Sequence, residues 1–286
     1  MAVRIVTDTV ASISPADRER LAIATVAIHV YNGSQPLSED ELSDTGFYAR
    51  LDDMDWLPTT SQPSPAEFAV VFRELLAKGH DVLAVLISGG LSGTVASAEA
   101  AMAEIIAEMP DARIGIVDSL SNSLEEGYAV LAAAEAASAG GSLEECRHAA
   151  EETMRRTRFL FTPHSLEYLR RGGRITGASA LLSMMLRIVP ILTAEKGVTG
   201  IAGVGRSGKS AWGKVVSLMK RDIDRCGLRQ VAVQYIADAE EAQRFAAEVV
   251  EPVVGRKVPI VPIHAVVGIH VGPAVGVVYE TEEPLR

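Results

Sequence analysis

Two stretches of this 286-residue chain gather hydroxyls and small residues just where a helix is due to begin. They are Thr59-Thr60-Ser61-Gln62-Pro63-Ser64 and Ser88-Gly89-Gly90-Leu91-Ser92-Gly93-Thr94. The second follows the apolar run Val82–Ile87, so it lies at the carboxyl end of an expected parallel strand, where open α/β sheets take their ligands. Glycines let a backbone approach a ligand, and the free amides of a helix start favour an anion. The hydroxyls of Thr60 and Ser92, with Ser61, Gly93 and Thr94 beside them, suit a carboxylate or phosphate oxygen. Ordinary helix capping accounts for Ser64 and competes with a site at Ser92. Both readings stand for either cluster alone.

Other candidates are weighed in the same way. Asp8 and Asp118 each end an expected strand, as functional acids or as turn-forming and capping residues. His270 lies in Gly268-Ile269-His270-Val271-Gly272-Pro273, read as a Gly/Pro-framed turn between apolar strands. An imidazole held there can donate to an oxyanion or act as a base, and a purely structural histidine fits equally. Arg170-Arg171-Gly172-Gly173-Arg174 is a basic patch in an acidic chain, suited to an anion or a phosphate-bearing partner. A helix C-terminus explains its glycines and part of its charge but does not require Arg174. Leu181, Leu182, Met184, Met185, Leu186 and Ile188 form an apolar stripe suited to core packing or to a flexible acyl chain.

Gly203-Val204-Gly205-Arg206-Ser207-Gly208-Lys209-Ser210 matches the P-loop pattern GxxxxGK[ST] literally. Its context argues against nucleotide binding. Gly197 and Gly200 interrupt the preceding segment, so no buried central strand feeds the loop, and too little chain follows to complete a nucleotide-binding sheet. A basic hairpin leading into a helix is the better reading.

The elements that must position these residues follow from patterning. Apolar residues make up 48% of the chain and aromatics only 5%, a mixture that suits helices packed on parallel strands. With 27 basic against 37 acidic residues the net charge is −10, which argues against nonspecific nucleic-acid binding. Two cysteines make neither a disulfide framework nor a zinc set. No signal peptide opens the chain and no apolar run reaches membrane-spanning length, so a cytoplasmic setting is expected. Strands are expected at Val3–Thr7, Thr25–Tyr31, Val82–Ser88, Arg113–Asp118, Phe159–Thr162, Val189–Thr193, Gln230–Ile236, Ile260–His264 and Ala274–Tyr279. Capping boxes mark helix starts at Ser38, Ser64 and Ser142. Strand and helix alternate regularly to about Thr157. The fold class is therefore α/β in two domains: 1–157 with a parallel sheet, and 158–286 with a mixed sheet.

Taken in order, Val6-Thr7-Asp8-Thr9, Pro58–Pro65 (PTTSQPSP), Leu91–Ala98 (LSGTVASA), Val117-Asp118-Ser119, Leu166–Ile175 (LEYLRRGGRI), Val189–Leu192 and Ile269–Pro273 (IHVGP) resemble the DegV family of bacterial fatty-acid-binding proteins. The resemblance spans nearly the whole chain. It implies a long-chain fatty acid such as palmitate buried between two α/β domains, with no other cofactor. It also implies a carboxylate held by Thr60 and Ser92, with His270 near the same head group. Better-studied members are the lipid-carrying subunit of a fatty-acid kinase. They present the carboxylate to a separate ATP-using subunit that makes acyl phosphate for phospholipid metabolism. Arg174 and Arg206 are then contacts for phosphate or kinase, and the chain is not an enzyme by itself. It would touch a membrane surface only transiently. Three departures stand out: Gly90 where the family often has a second serine, Ala274 after the last proline where a glycine is common, and Glu125-Glu126-Gly127 where Gly-x-Gly is usual. Two alternatives remain, a serine hydrolase using Ser92 and His270, and a nucleotide-binding regulator using 203–210. Ser92 lacks the Gly-x-Ser-x-Gly spacing that a hydrolase elbow needs.

Overall fold

The computed structural model describes residues 2–43, 47–48, 57–176, 178 and 188–285. Contacts gather the chain into two units, Met1–His29 with Thr60–Arg155, and Val30–Thr59 with Arg156–Arg286. Val30–Thr59 thus goes with the second unit, although strand–helix alternation alone assigns it to the 1–157 span.

In the first unit four parallel strands stand in the order Ala24–Val26, Val3–Asp8, Asp81–Leu86, Ile114–Asp118. Asp81–Leu86 is buried at every position, as a strand covered on both faces must be. Successive side chains alternate between those faces. Val3, Ile5, Leu83 and Val85 meet Ala129, Val130, Ala133 and Ala134 of helix Ser123–Ser138, with Cys146 and Ala150 of helix Leu143–Arg156. Val6, Val82, Ala84 and Leu86 meet Phe68 and Phe72 of helix Pro65–Ala77, and Ala98, Ala101 and Ile105 of helix Thr94–Glu108. Much of the aliphatic excess, alanine above all, therefore goes into close helix-on-sheet packing.

All three capping boxes form. Ser64 shows the pattern: its hydroxyl accepts the Glu67 amide at 3.3 Å while Glu67 accepts the Ser64 amide at 2.8 Å. Pro65 follows in the first turn. This cap starts the helix directly after the Thr60–Pro63 segment. Ser64→Ala is expected to cost about 1 kcal/mol of stability. Urea midpoints of the two proteins check it, and equal midpoints would show the cap to be idle.

The second unit holds a six-stranded mixed sheet in the order Val198–Gly205, Val189–Glu195, Thr157–Pro163, Ala274–Glu280, Gln230–Ile236, Ile260–Pro262. The neighbours are antiparallel except the last two, which run parallel. Val231, Val233, Val275, Val277 and Tyr279 pack on Val215 and Met219 of helix Gly208–Cys226 and on Phe245. Within this core Asp222 is buried yet fully engaged. It accepts from Tyr279 Oη at 2.8 Å, from Arg158 Nη1 at 2.5 Å, and from Arg221 Nη2 at 3.0 Å.

Two expectations need correction. The Thr25–Tyr31 run is not one strand but two, Ala24–Val26 and His29–Asn32. Strand 198–205 pairs antiparallel with Val189–Glu195, in keeping with the hairpin reading of this segment, and Gly200 is accommodated within the pairing. It is an edge strand, reached through a two-residue turn with Lys196 at φ 51 and Gly197 at φ 82. His270 sits in the last turn of helix Ala265–Val271, not in an open turn between strands. Among the described residues, no helix is long and apolar enough to cross a membrane.

Candidate functional site

In the first unit the strand-end loop is built as a cradle of amides and hydroxyls. The helix Thr94–Glu108 has Gly93 at its cap position and no side-chain cap. Glycine at that position supplies no side-chain oxygen to the amides of the first turn. Ser92 Oγ and Thr94 Oγ1 lie 2.8 Å apart, and the Thr94 amide points to Ser92 Oγ at 3.4 Å. Thr94 is fully buried, whereas Ser92 and Gly93 are half-buried. The cap reading of Ser92 is therefore weakened, since the cap position falls one residue later.

Thr60 and Ser61 lie on the short strand Thr59–Ser61, Thr60 half-buried and Ser61 exposed. Gln62, which follows them, brings the two hydroxyl clusters together. A β-carbon on residue 93 would stand 2.3 Å from Gln62 Nε2, so a larger residue there would displace this amide. The PTTSQPSP string by itself gives Gln62 no role. The one hint in the sequence is Gly93, a glycine between two hydroxyl residues at a helix start.

In the second unit the LEYLRRGGRI and IHVGP segments pack on each other. A β-carbon at Gly172 would lie 2.5 Å from His270 Nδ1, and one at Gly272 would lie 2.4 Å from the Tyr168 ring. Gly272 also has φ 72, a conformation that favours glycine. Arg174 Nη1 donates to the Gly172 carbonyl at 2.6 Å, bracing the turn that carries His270's neighbour. Burial, and secondarily the Arg174 charge, push the His270 pKa down to about 4. The imidazole is thus neutral at pH 7, with one N–H to donate and one nitrogen to accept. Burial likewise lowers the Arg174 pKa. Arg170 instead pairs with Glu167 at 2.5 Å.

Arg206 stands exposed on the turn ahead of helix Gly208–Cys226. There Ser207 Oγ accepts the Ser210 amide at 3.2 Å, so the Walker-like string is spent on capping a helix that follows an antiparallel edge strand. Leu181, Leu182, Met184, Met185 and Leu186 lie outside the described residues. Among the described residues, no group of His, Cys, Asp and Glu side chains is arranged to hold a metal ion.

A parallel sheet that ends in a glycine-capped helix start places the chain among the open α/β folds that take ligands at their strand ends. The narrower assignment is direct. The family model described as "Uncharacterised protein, DegV family" matches residues 2–282, and the chain belongs to that family. A DegV domain-containing protein of Clostridium acetobutylicum is 37% identical over 292 residues, covering 100% of both chains. Among solved structures, a stearic-acid-binding protein of Eubacterium ventriosum superposes with a TM-score of 0.85 at 27% identity, over 97% of this chain and 98% of that one. A fatty-acid-binding DegV family protein from Thermus thermophilus gives 0.83 at 31%, over 98% and 100%.

Proposed function

We propose that this protein binds a long-chain fatty acid such as palmitate in an apolar pocket and holds its carboxylate with Thr60 and Ser92. The observation that carries this reading is the helix start at Gly93, where a cap position without a side chain and the Ser92–Thr94 hydroxyl pair lie together beside Gln62. The fatty-acid-binding relatives described above support it. Ser61, Gly93 and Thr94 are further contacts of the head group on the first unit. On the second unit His270 is assigned to the same ligand, its neutral imidazole donating to a carboxylate oxygen. The tail contributes most of the affinity: about a dozen methylenes at ~0.8 kcal/mol each come to roughly 10 kcal/mol before ordering costs.

In this reading the chain is a cytoplasmic acyl carrier and not a catalyst by itself. It presents the carboxylate to a separate ATP-dependent kinase subunit for conversion to acyl phosphate, with Arg174 and Arg206 as contacts for phosphate or kinase. The resemblance to the lipid-carrying subunits of fatty-acid kinases supports this part. A hydrolase reading finds no support at Ser92, whose hydrogen bonds run to Thr94.

Native mass spectrometry of the purified protein is expected to show co-purified fatty acid. Thr60→Ala and Ser92→Ala are each expected to weaken palmitate binding about 10- to 100-fold, the loss typical of a hydrogen bond to a charged group. A lipid-free protein that binds ATP directly, or a double variant with unchanged palmitate affinity, overturns the assignment.

A further inference from the structure

The loop that carries Ser92 is held from beneath by two aspartates. Asp8 Oδ2 accepts the Ile87 amide at 2.8 Å, while its Oδ1 takes the Val10 amide at 3.0 Å. Asp118 Oδ2 accepts the Gly89 amide at 3.2 Å, and its Oδ1 takes the Leu120 amide at 2.8 Å. Strand Asp81–Leu86 runs between the strands that these residues end. The chain leaving it is therefore gripped from one side at residue 87 and from the other at residue 89.

Asp118 acts on the loop twice. Its bond to Leu120, a residue at φ 54, turns the chain so that the Ser121 carbonyl accepts the Ser88 amide at 2.8 Å. The Ser88 carbonyl in turn accepts the Ser92 amide at 3.0 Å. A continuous set of bonds thus runs from Asp118 to the backbone of Ser92. Gly89 is part of the fit, since a β-carbon there would lie 3.0 Å from Asp118 Oδ2.

Glu126, the middle residue of Glu125-Glu126-Gly127, is fully buried close to this pair. Its Oε1 accepts from Thr7 Oγ1 at 3.4 Å. Burial, and then the charges of Asp8 and Asp118, hold its carboxyl well above the usual carboxylate range. A carboxylate makes the stronger amide bonds, and each of the two aspartates takes two amides. A negative Asp118 would repel a carboxylate ligand on contact. Its value to an anion site lies in the loop conformation that it fixes, which sets where the Ser92 hydroxyl stands.

We propose that Asp118 is a positioning residue for carboxylate recognition, acting through Gly89, Ser121 and Ser88 to set the Ser88–Thr94 loop. The inference rests on the acyl-binding reading above. It is tested by titrating palmitate and hexadecan-1-ol, the matching chain without a carboxylate, into four proteins: the wild type, Asp118→Ala, Ser92→Ala and the double variant. Asp118→Ala is expected to weaken palmitate about 10- to 100-fold while leaving the alcohol within about 2-fold. It is expected to add little in the Ser92→Ala background, because both changes remove the same recognition. Asp118→Asn keeps one acceptor oxygen and the side-chain shape, so it should give an intermediate loss. It takes the same comparison if the alanine variant does not fold. Equal losses for acid and alcohol, unchanged palmitate affinity, or effects that simply add to those of Ser92→Ala overturn the inference. A wild-type chain that takes up neither molecule overturns the acyl-binding reading first, and the role of Asp118 with it.

Discussion

Asp222→Ala is expected to be the most damaging single substitution in the second unit, lowering its stability by about 3 kcal/mol or more. The carboxylate is buried on helix Gly208–Cys226 and joins that helix to two strands through Arg158 and Tyr279. Truncating it leaves a partly buried guanidinium without its counter-charge and a fully buried phenol without its acceptor. Removing one partner of such a network costs far more than the network's net worth. The same burial, with the Asp222 charge adding to it, pushes the Tyr279 hydroxyl up, so the phenol stays a donor in need of an acceptor. Asp222→Asn keeps an acceptor for Tyr279 and is expected to recover part of the loss. Urea unfolding of the three proteins decides the matter, and an alanine variant within about 0.5 kcal/mol of wild type would show the network to be idle.

The second large effect is an acid sensitivity centred on His270. Its pKa falls from 6.5 to about 4 on folding, so the native state holds the imidazole neutral. That contribution is complete above pH 6.5 and is lost as the pH falls towards 4. The full difference amounts to about 3 kcal/mol. His164 works in the opposite direction. Its bond to Glu241 at 2.8 Å raises its pKa, so its contribution is present below pH 6.5 and fades as the pH rises through the raised value. Comparing wild type with His270→Gln between pH 7.5 and 4.5 cancels His164 and the carboxylates common to both proteins. The wild type is expected to lose more stability than the variant over this window. Parallel profiles would remove His270 as the source.

Much of the fold and part of the site are legible in the residues alone. Capping boxes at Ser38, Ser64 and Ser142 are local devices, read from residues three positions apart, and all three form. Strand Asp81–Leu86 shows as an uninterrupted apolar run because both of its faces are covered. The hydroxyl clusters around Thr60 and Ser92 are likewise visible, since each gathers more hydroxyls than one helix cap uses. Other features depend on pairings across the chain and carry little local signal. Asp222 sits in Lys220-Arg221-Asp222-Ile223-Asp224-Arg225, a string that reads as a solvated helix face. Only the meeting with Tyr279 and Arg158 shows it to be core. Residues 198–205 read only as part of a hairpin, and their register is fixed by the partner Val189–Glu195. The span Val30–Thr59 precedes most of the first unit's elements, and its contacts to the second unit leave no trace in chain order.

The fit between Gly172 and His270 also constrains how relatives of this chain can differ. The imidazole occupies the space into which any larger residue at 172 would project its side chain. A change at 172 alone is therefore a step that inheritance rejects, while the same change after His270 has been replaced by a smaller residue meets no such barrier. The two positions, far apart along the chain, should drift together or not at all. A library randomised at both should return pairs, with bulk at 172 tolerated only where bulk at 270 is gone.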